Sequence, residues 1–276
     1  MSPQSGDIHE TRDKSGESVE ILSVRIDSLD FSGIMSKITS FLKDDRLHQI
    51  ATVNPEFVMA AQSDGEFLNI LNSTDLNVAD GIGLQLAAKI MRVGIGERVT
   101  GVDLTWALAR LAAEKGYSLF LLGAAEGVAQ IAADKLLATF PGLKISGAYA
   151  GSPGERGIVE RINGSEADIL CVAFGSPKQE RFIFENKNRL KAKVAMGVGG
   201  TFDYIAEVVP RAPGWIRKIG MEWLFRLARQ PQRINRIFTA VVRFPLRVLV
   251  STVLNPDGKR SESEKDVKPH GNAQSG

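Results

Sequence analysis

The run Ile169-Leu170-Cys171-Val172-Ala173-Phe174-Gly175-Ser176-Pro177-Lys178-Gln179-Glu180 decides the fold. An unbroken apolar stretch gives way to glycine, serine and proline and then to a polar helical start, so it reads as strand, tight turn and helix. A strand apolar at every position is buried on both faces, which points to a parallel sheet covered by helices. Working outward, the same unit recurs. Strands are expected at residues 19–26, 49–53, 76–79, 118–122, 144–148, 169–174 and 194–198. Helices are expected at 34–43, 55–61, 67–73, 83–91, 104–115, 125–140, 156–162 and 178–189. Such alternation predicts an α/β fold, a largely parallel sheet with helices on both faces, over residues 19–209. After Gly200 the pattern is helical only, which sets a boundary near residues 210–213 between this core and a helical appendage over 210–254.

The appendage carries the charge asymmetry of the chain. From Arg211 to Arg247 there are nine Lys/Arg against the single acid Glu222, a net +8, while the whole chain of 276 residues sums to only +2. Trp215 and Trp223 lie in this stretch among isoleucines, leucines and phenylalanines. Basic residues interleaved with bulky apolar ones suit an anionic, partly apolar surface, a membrane interface above all. A helix packed on the core with its arginines solvated fits the same composition. The apolar run 237–254 is interrupted by Arg243, Pro245 and Arg247 and is expected to fall short of a membrane span. Residues 1–18 and 255–276 are polar and read as disordered tails. The chain opens on no apolar signal-like stretch, and its one cysteine, Cys171, lies in a strand; the expectation is a cytoplasmic protein that touches the membrane from the inner face.

In open α/β sheets ligands sit at the carboxyl ends of the strands, so the strand-to-helix turns hold the candidate residues. In Thr52-Val53-Asn54-Pro55-Glu56, Asn54 can cap the next helix or meet a ligand, whereas Thr52 caps nothing. Asp80-Gly81 ends another strand; the aspartate is either the cap of helix 83–91 or a carboxylate for a ligand that the following glycine lets approach. Gly123 opens a turn with two glycines rather than the three of the dinucleotide fingerprint, which disfavours a nicotinamide cofactor while suiting a diphosphate. Ser176 and Gln179 form an expected capping box with Pro177 in the first turn, leaving Lys178 and Gln179 to face a ligand. Gly199 and Gly200, with Asp203 beyond, suggest close approach by a phosphate or substrate.

The histidines are only His9, His48 and His270, so a histidine triad or multi-histidine metal site is excluded, and no Asp-x-Asp pair or Walker loop occurs. A catalytic base then has to be a carboxylate, Asp80 being best placed, and if a metal is absent a bound diphosphate has to be met by arginines and helix N-termini. No metal and no cofactor is expected.

These blocks resemble a known family, the bacterial glycosyltransferases of the TagA/CpsF/WecG type (glycosyltransferase family 26). The resemblance rests on Thr-Val-Asn-Pro-Glu-Phe at 52–57, Ala-Asp-Gly-Ile-Gly at 79–83, Glu-Arg-Val-Thr-Gly-Val-Asp-Leu at 97–104 and Phe-Leu-Leu-Gly-Ala at 120–124. It continues through Ala-Phe-Gly-Ser-Pro-Lys-Gln-Glu at 173–180, Gly-Val-Gly-Gly-Thr-Phe-Asp at 197–203 and Arg-Ala-Pro-Gly-Trp through Glu-Trp-Leu-Phe-Arg-Leu within 211–227. It implies a Rossmann-like core and metal-independent, inverting transfer of a hexosamine-type sugar from a UDP-sugar donor to a polyprenyl-diphosphate-linked saccharide in surface polysaccharide synthesis. It further implies Asp80 as general base, Thr52 and Asn54 as pocket residues, and Arg98, Thr100 and Asp103 as members of the Arg-Val-Thr-Gly-x-Asp block. Gln179 matches the active-site glutamine. Among the appendage arginines, Arg211, Arg217, Arg226, Arg229 and Arg233 are candidates for the diphosphate, and the sequence does not choose between them. Implied partners are the donor, the lipid-linked acceptor and the inner membrane surface, with a homo-oligomer open. A Rossmann-type oxidoreductase and a non-catalytic basic module for membrane or nucleic acid are the competing readings; the confinement of positive charge to one segment, away from the glycine-rich turns, disfavours nucleic acid.

Overall fold

A computed structural model of the chain describes residues 18–214, 216, 222–229 and 234–254. The two tails expected to be disordered fall almost wholly outside the described residues, as does Trp215.

The centre is a parallel sheet of six strands, β3 (His48–Val53), β4 (Leu76–Ala79), β5 (Ser118–Gly123), β6 (Lys144–Tyr149), β7 (Ile169–Ala173) and β8 (Val194–Gly197), in the order β4-β3-β8-β7-β5-β6. Its two faces can be read residue by residue from the alternation of side chains along a strand. Leu119, Leu121, Ile169, Cys171, Val194 and Met196 enter one core, with α1 (Phe31–Phe41), α5 (Gly101–Lys115), α6 (Val128–Thr139) and α9 (Thr201–Ile205). Phe120, Leu122, Leu170, Val172 and Ala195 enter the other, with α7 (Ile158–Gly164) and α8 (Lys178–Glu185). Beside it, α2 (Pro55–Ala61), α3 (Gly65–Ser73) and α4 (Ile82–Met91) pack on Ala51, Val53 and Ala79. Burial on both faces pushes the Cys171 thiol up to about 12 and leaves it a core residue.

The strand expected at 19–26 is two strands. Ser18–Ile21 (β1) and Val24–Asp27 (β2) form an antiparallel hairpin whose turn residues Leu22 and Ser23 take φ of 49° and 66°. A two-residue turn with both central residues left-handed normally announces itself by Asn-Gly, and Leu-Ser carries no such signal.

The appendage includes α10 (Glu222–Arg229), α11 (Ile234–Phe238), a π-helical turn (Thr239–Arg243) and α12 (Phe244–Leu254). Ile234–Leu254 is one continuous helical run of 21 residues containing an 18-residue stretch of mean hydropathy 1.8, long and apolar enough to cross a membrane by length and composition. The apolar run 237–254, expected to fall short of a membrane span, thus lies in a helix that reaches that length and composition. Pro245 falls in the first turn after the π-helical segment, the position where a missing N–H is tolerated. One side of the run is anchored in the body: Phe244 and Val248 are fully buried with Ile21, Val53 and Phe67. The other side exposes Leu246, Leu249, Val250, Val253 and Leu254.

Candidate active site

A cleft of about 440 Å³ opens at the carboxyl ends of β3, β4, β7 and β8, within the size range of small-molecule sites. It is lined by Thr52, Asn54, Glu56, Asp80, Arg98, Thr100, Ser176, Gln179, Gly199, Gly200, Asp203, Tyr204, Arg211 and Arg236, among others. Three carboxylates thus face three guanidinium groups across one opening.

Each wall has a local cause. At the end of β3, Thr52 is buried with its hydroxyl 3.5 Å from the Gly197 carbonyl. Asn54 caps α2, accepting the Glu56 and Phe57 N–H groups at 2.9 and 3.1 Å, and it also lines the cleft. Asp80 follows β4, its N–H donated to the Val53 carbonyl at 2.7 Å, and is partly buried in the wall. The N-cap of α4 is Gly81 with φ 97°, so the cap position expected for Asp80 falls one residue later. The Val99 N–H pairs with the Ala79 carbonyl at 3.0 Å, which sets Arg98 and Thr100 beside the end of β4. Thr100 caps α5 and donates to Asp103 at 2.7 Å.

The appendage supplies two of the arginines. Arg211 Nη2 pairs with Asp103 at 2.9 Å and donates to the Thr100 hydroxyl at 3.2 Å, while its Nε is buried with no hydrogen-bond partner among the described residues. Arg236 Nε donates to Glu56 at 2.7 Å.

Not every expected residue meets the cleft. Asp103 lies outside the lining and contacts Arg211 and Thr100, which line the cleft. Gly123 is also outside; its φ of 99° and the Ala173 backbone, 2.8 Å from where a Cβ would stand, show a glycine needed for strand packing. Lys178 is exposed, because neighbours on a helix point about 100° apart and Gln179 takes the inward direction. The expected capping box is absent: Pro177 occupies the N-cap, the Ser176–Pro177 peptide is cis, and the Gln179 oxygen accepts the Gly175 and Gly199 N–H groups at 3.2 and 2.9 Å. Arg217 and Arg233 lie outside the described residues, and Arg226 and Arg229 are placed on α10 with their side chains undescribed. Arg236 was not among the sequence candidates. Its place opposite Glu56 follows from the path of the helix, which no local motif encodes.

Among the described residues no group of three or more His, Cys, Asp or Glu is arranged to hold a metal ion.

Known proteins are similar to this chain in sequence over most of its length. A profile of the Glycosyl transferase WecG/TagA/CpsF family matches residues 19–257. An N-acetylglucosaminyldiphosphoundecaprenol N-acetyl-beta-D-mannosaminyltransferase of Bacillus subtilis is 31% identical over 225 residues, covering 78% of this chain and 88% of the relative. The enzyme of that name from Bacillus spizizenii is 33% identical, covering 78% and 86%, and that from Staphylococcus aureus MRSA252 is 30% identical, covering 79% and 87%. With the parallel sheet and its cleft in place, the chain belongs to the WecG/TagA/CpsF family of glycosyl transferases.

Proposed function

We propose that the cleft transfers a hexosamine-type sugar from a UDP-sugar to a saccharide carried on a polyprenyl diphosphate, with inversion and without a metal ion. The observation that carries this reading is the position of Asp80, a partly buried carboxylate in the same wall system as Arg98, Arg211 and Arg236. The names of the relatives, which transfer N-acetylmannosamine to N-acetylglucosaminyldiphosphoundecaprenol, supply the acceptor class. Asp80 takes the proton of the acceptor hydroxyl as that oxygen attacks the anomeric carbon. The bond from this carbon to the diphosphate breaks on the opposite face, and UDP leaves with the electron pair. Positioned proton abstraction contributes ~10²–10⁴ in rate. The leaving diphosphate is met by guanidinium groups, which offer paired donors to its oxygens; the unpartnered Nε of Arg211 has that capacity.

The exposed apolar side of α12 is read as the surface that rests on the inner face of the membrane, with Arg243 and Arg247 available to anionic headgroups. This brings the cleft to where a lipid-linked acceptor is held. Thermal-shift titration with UDP, UDP-sugars and NADH tests the donor class. Stabilisation by UDP and a UDP-hexosamine is expected; stabilisation by NADH alone would return the cleft to the oxidoreductase reading.

A further inference from the structure

The glycine-rich turns after β7 and β8 are joined by one buried pair of side chains that proton transfer does not use. Gln179 is 2% exposed and Glu180 0%. The Gln179 oxygen accepts the N–H of Gly175 and of Gly199, and its nitrogen donates to Glu180 Oε1 at 2.6 Å. Gly197, facing the pair from β8, would bring a Cβ within 2.5 Å of both Gln179 Nε2 and Glu180 Oε1, so the strand carries glycine where the pair must fit. The Gln49 amide also donates to the Glu180 carbonyl at 3.0 Å, tying α8 to β3.

We propose that Glu180 is a positioning residue for the transfer reaction: by accepting the Gln179 amide it keeps that side chain's oxygen on the Gly175 and Gly199 N–H groups and fixes the two turns that border the cleft. Gly175 and Gly199 have φ of 77° and 52°, conformations that a chain leaves readily when its amides are not held. A buried donor without an acceptor is costly, so removing Glu180 forces the Gln179 amide to turn or to shift and releases both turns together. Burial raises the Glu180 carboxyl to about 7, against the hydrogen bond from Gln179, and Oε2 has no hydrogen-bond partner among the described residues. Acceptance at Oε1 is available to the protonated and the ionised group alike, and to a glutamine in the same place.

The test compares Glu180→Gln with Glu180→Met in the full chain, reading kcat and KM for transfer and the hydrogen exchange of the Gly175 and Gly199 amides. Glu180→Gln is expected to stay within about threefold of the wild type in both. Glu180→Met is expected to lose about tenfold or more in kcat and to speed exchange at both glycines by a similar factor. Unchanged exchange in a folded Glu180→Met protein, or an equal loss in Glu180→Gln, overturns the proposal. If Glu180→Met does not fold, Gln179→Met has to speed the same two amides, and unchanged exchange there overturns it equally. The kinetic arm rests on the transferase reading, but the exchange arm needs no substrate, so the two failures are distinguishable.

Discussion

Arg236 and Glu56, far apart in the chain, meet at the mouth of the cleft, the guanidinium Nε 2.7 Å and Nη2 2.5 Å from the same carboxylate oxygen. Glu56 stands in the first turn of α2, two residues after Asn54 at the end of β3, so the pair ties the appendage to the strand ends that carry the site. Both partners are substantially exposed, and pairs of this kind contribute only ~0–1 kcal/mol to stability. The value of the contact is geometric: it holds a cation at the rim.

Replacing Arg236 by alanine is therefore expected to lower kcat/KM for the donor by about 10²-fold, the low end for losing one donor to a developing oxyanion, while the melting temperature barely moves. Steady-state kinetics alongside calorimetry checks this. Wild-type kcat/KM would take Arg236 out of donor binding.

Phe244 is fully buried with Ile21, Val53 and Phe67, so the last helix is part of the core. Phe244→Ala is expected to cost about 3–5 kcal/mol in urea unfolding. A loss below about 1 kcal/mol would show that the helix is merely resting on the body.

The parts of the fold that were legible in the sequence are those in which burial leaves its mark on every residue. The strand at 169–173 is apolar throughout because both faces are covered, and the structure sends Cys171 to one core and Leu170 to the other. Asp80, Thr52 and Asn54 were legible because a strand end is a defined place in this architecture. What was misread depends on direction. Ser176 and Gln179 have the spacing of a capping box, yet the Gly175 and Gly199 amides hold the Gln179 oxygen inward and Lys178 faces out. Arg236 was illegible because its partner is supplied by tertiary folding alone.

At the opposite end of the sheet, Asp75 accepts from Arg46 at 2.7 Å, Lys187 at 2.8 Å and the Gln49 N–H at 2.9 Å. Burial pushes its carboxyl up, but these three donors together outweigh it and hold it at about 2, below its ordinary value of 3.8. A depressed carboxylate contributes stability that is fully present above the unfolded value and is lost as pH falls through the folded one. Asp75→Asn is expected to cost about 2 kcal/mol at pH 6, with the gap to the wild type closing as the pH is lowered from about 4 to 2. Denaturant melts across that range measure it, and a gap independent of pH would contradict the assignment.

The outward face of α12 is expected to carry membrane contact. Leu249 and Val253 are exposed, and aspartate at both places should leave the melting temperature within a few degrees while lowering co-sedimentation with anionic vesicles by about tenfold or more. Unchanged co-sedimentation would move membrane contact to another surface.

The account rests most heavily on Asp80, and the direct measurement is the turnover of Asp80→Asn with nucleotide binding determined on the same preparation. The variant is expected to bind UDP as the wild type does and to turn over at least ~10²-fold more slowly. Turnover near the wild-type rate with binding intact would contradict the role of Asp80 as the base.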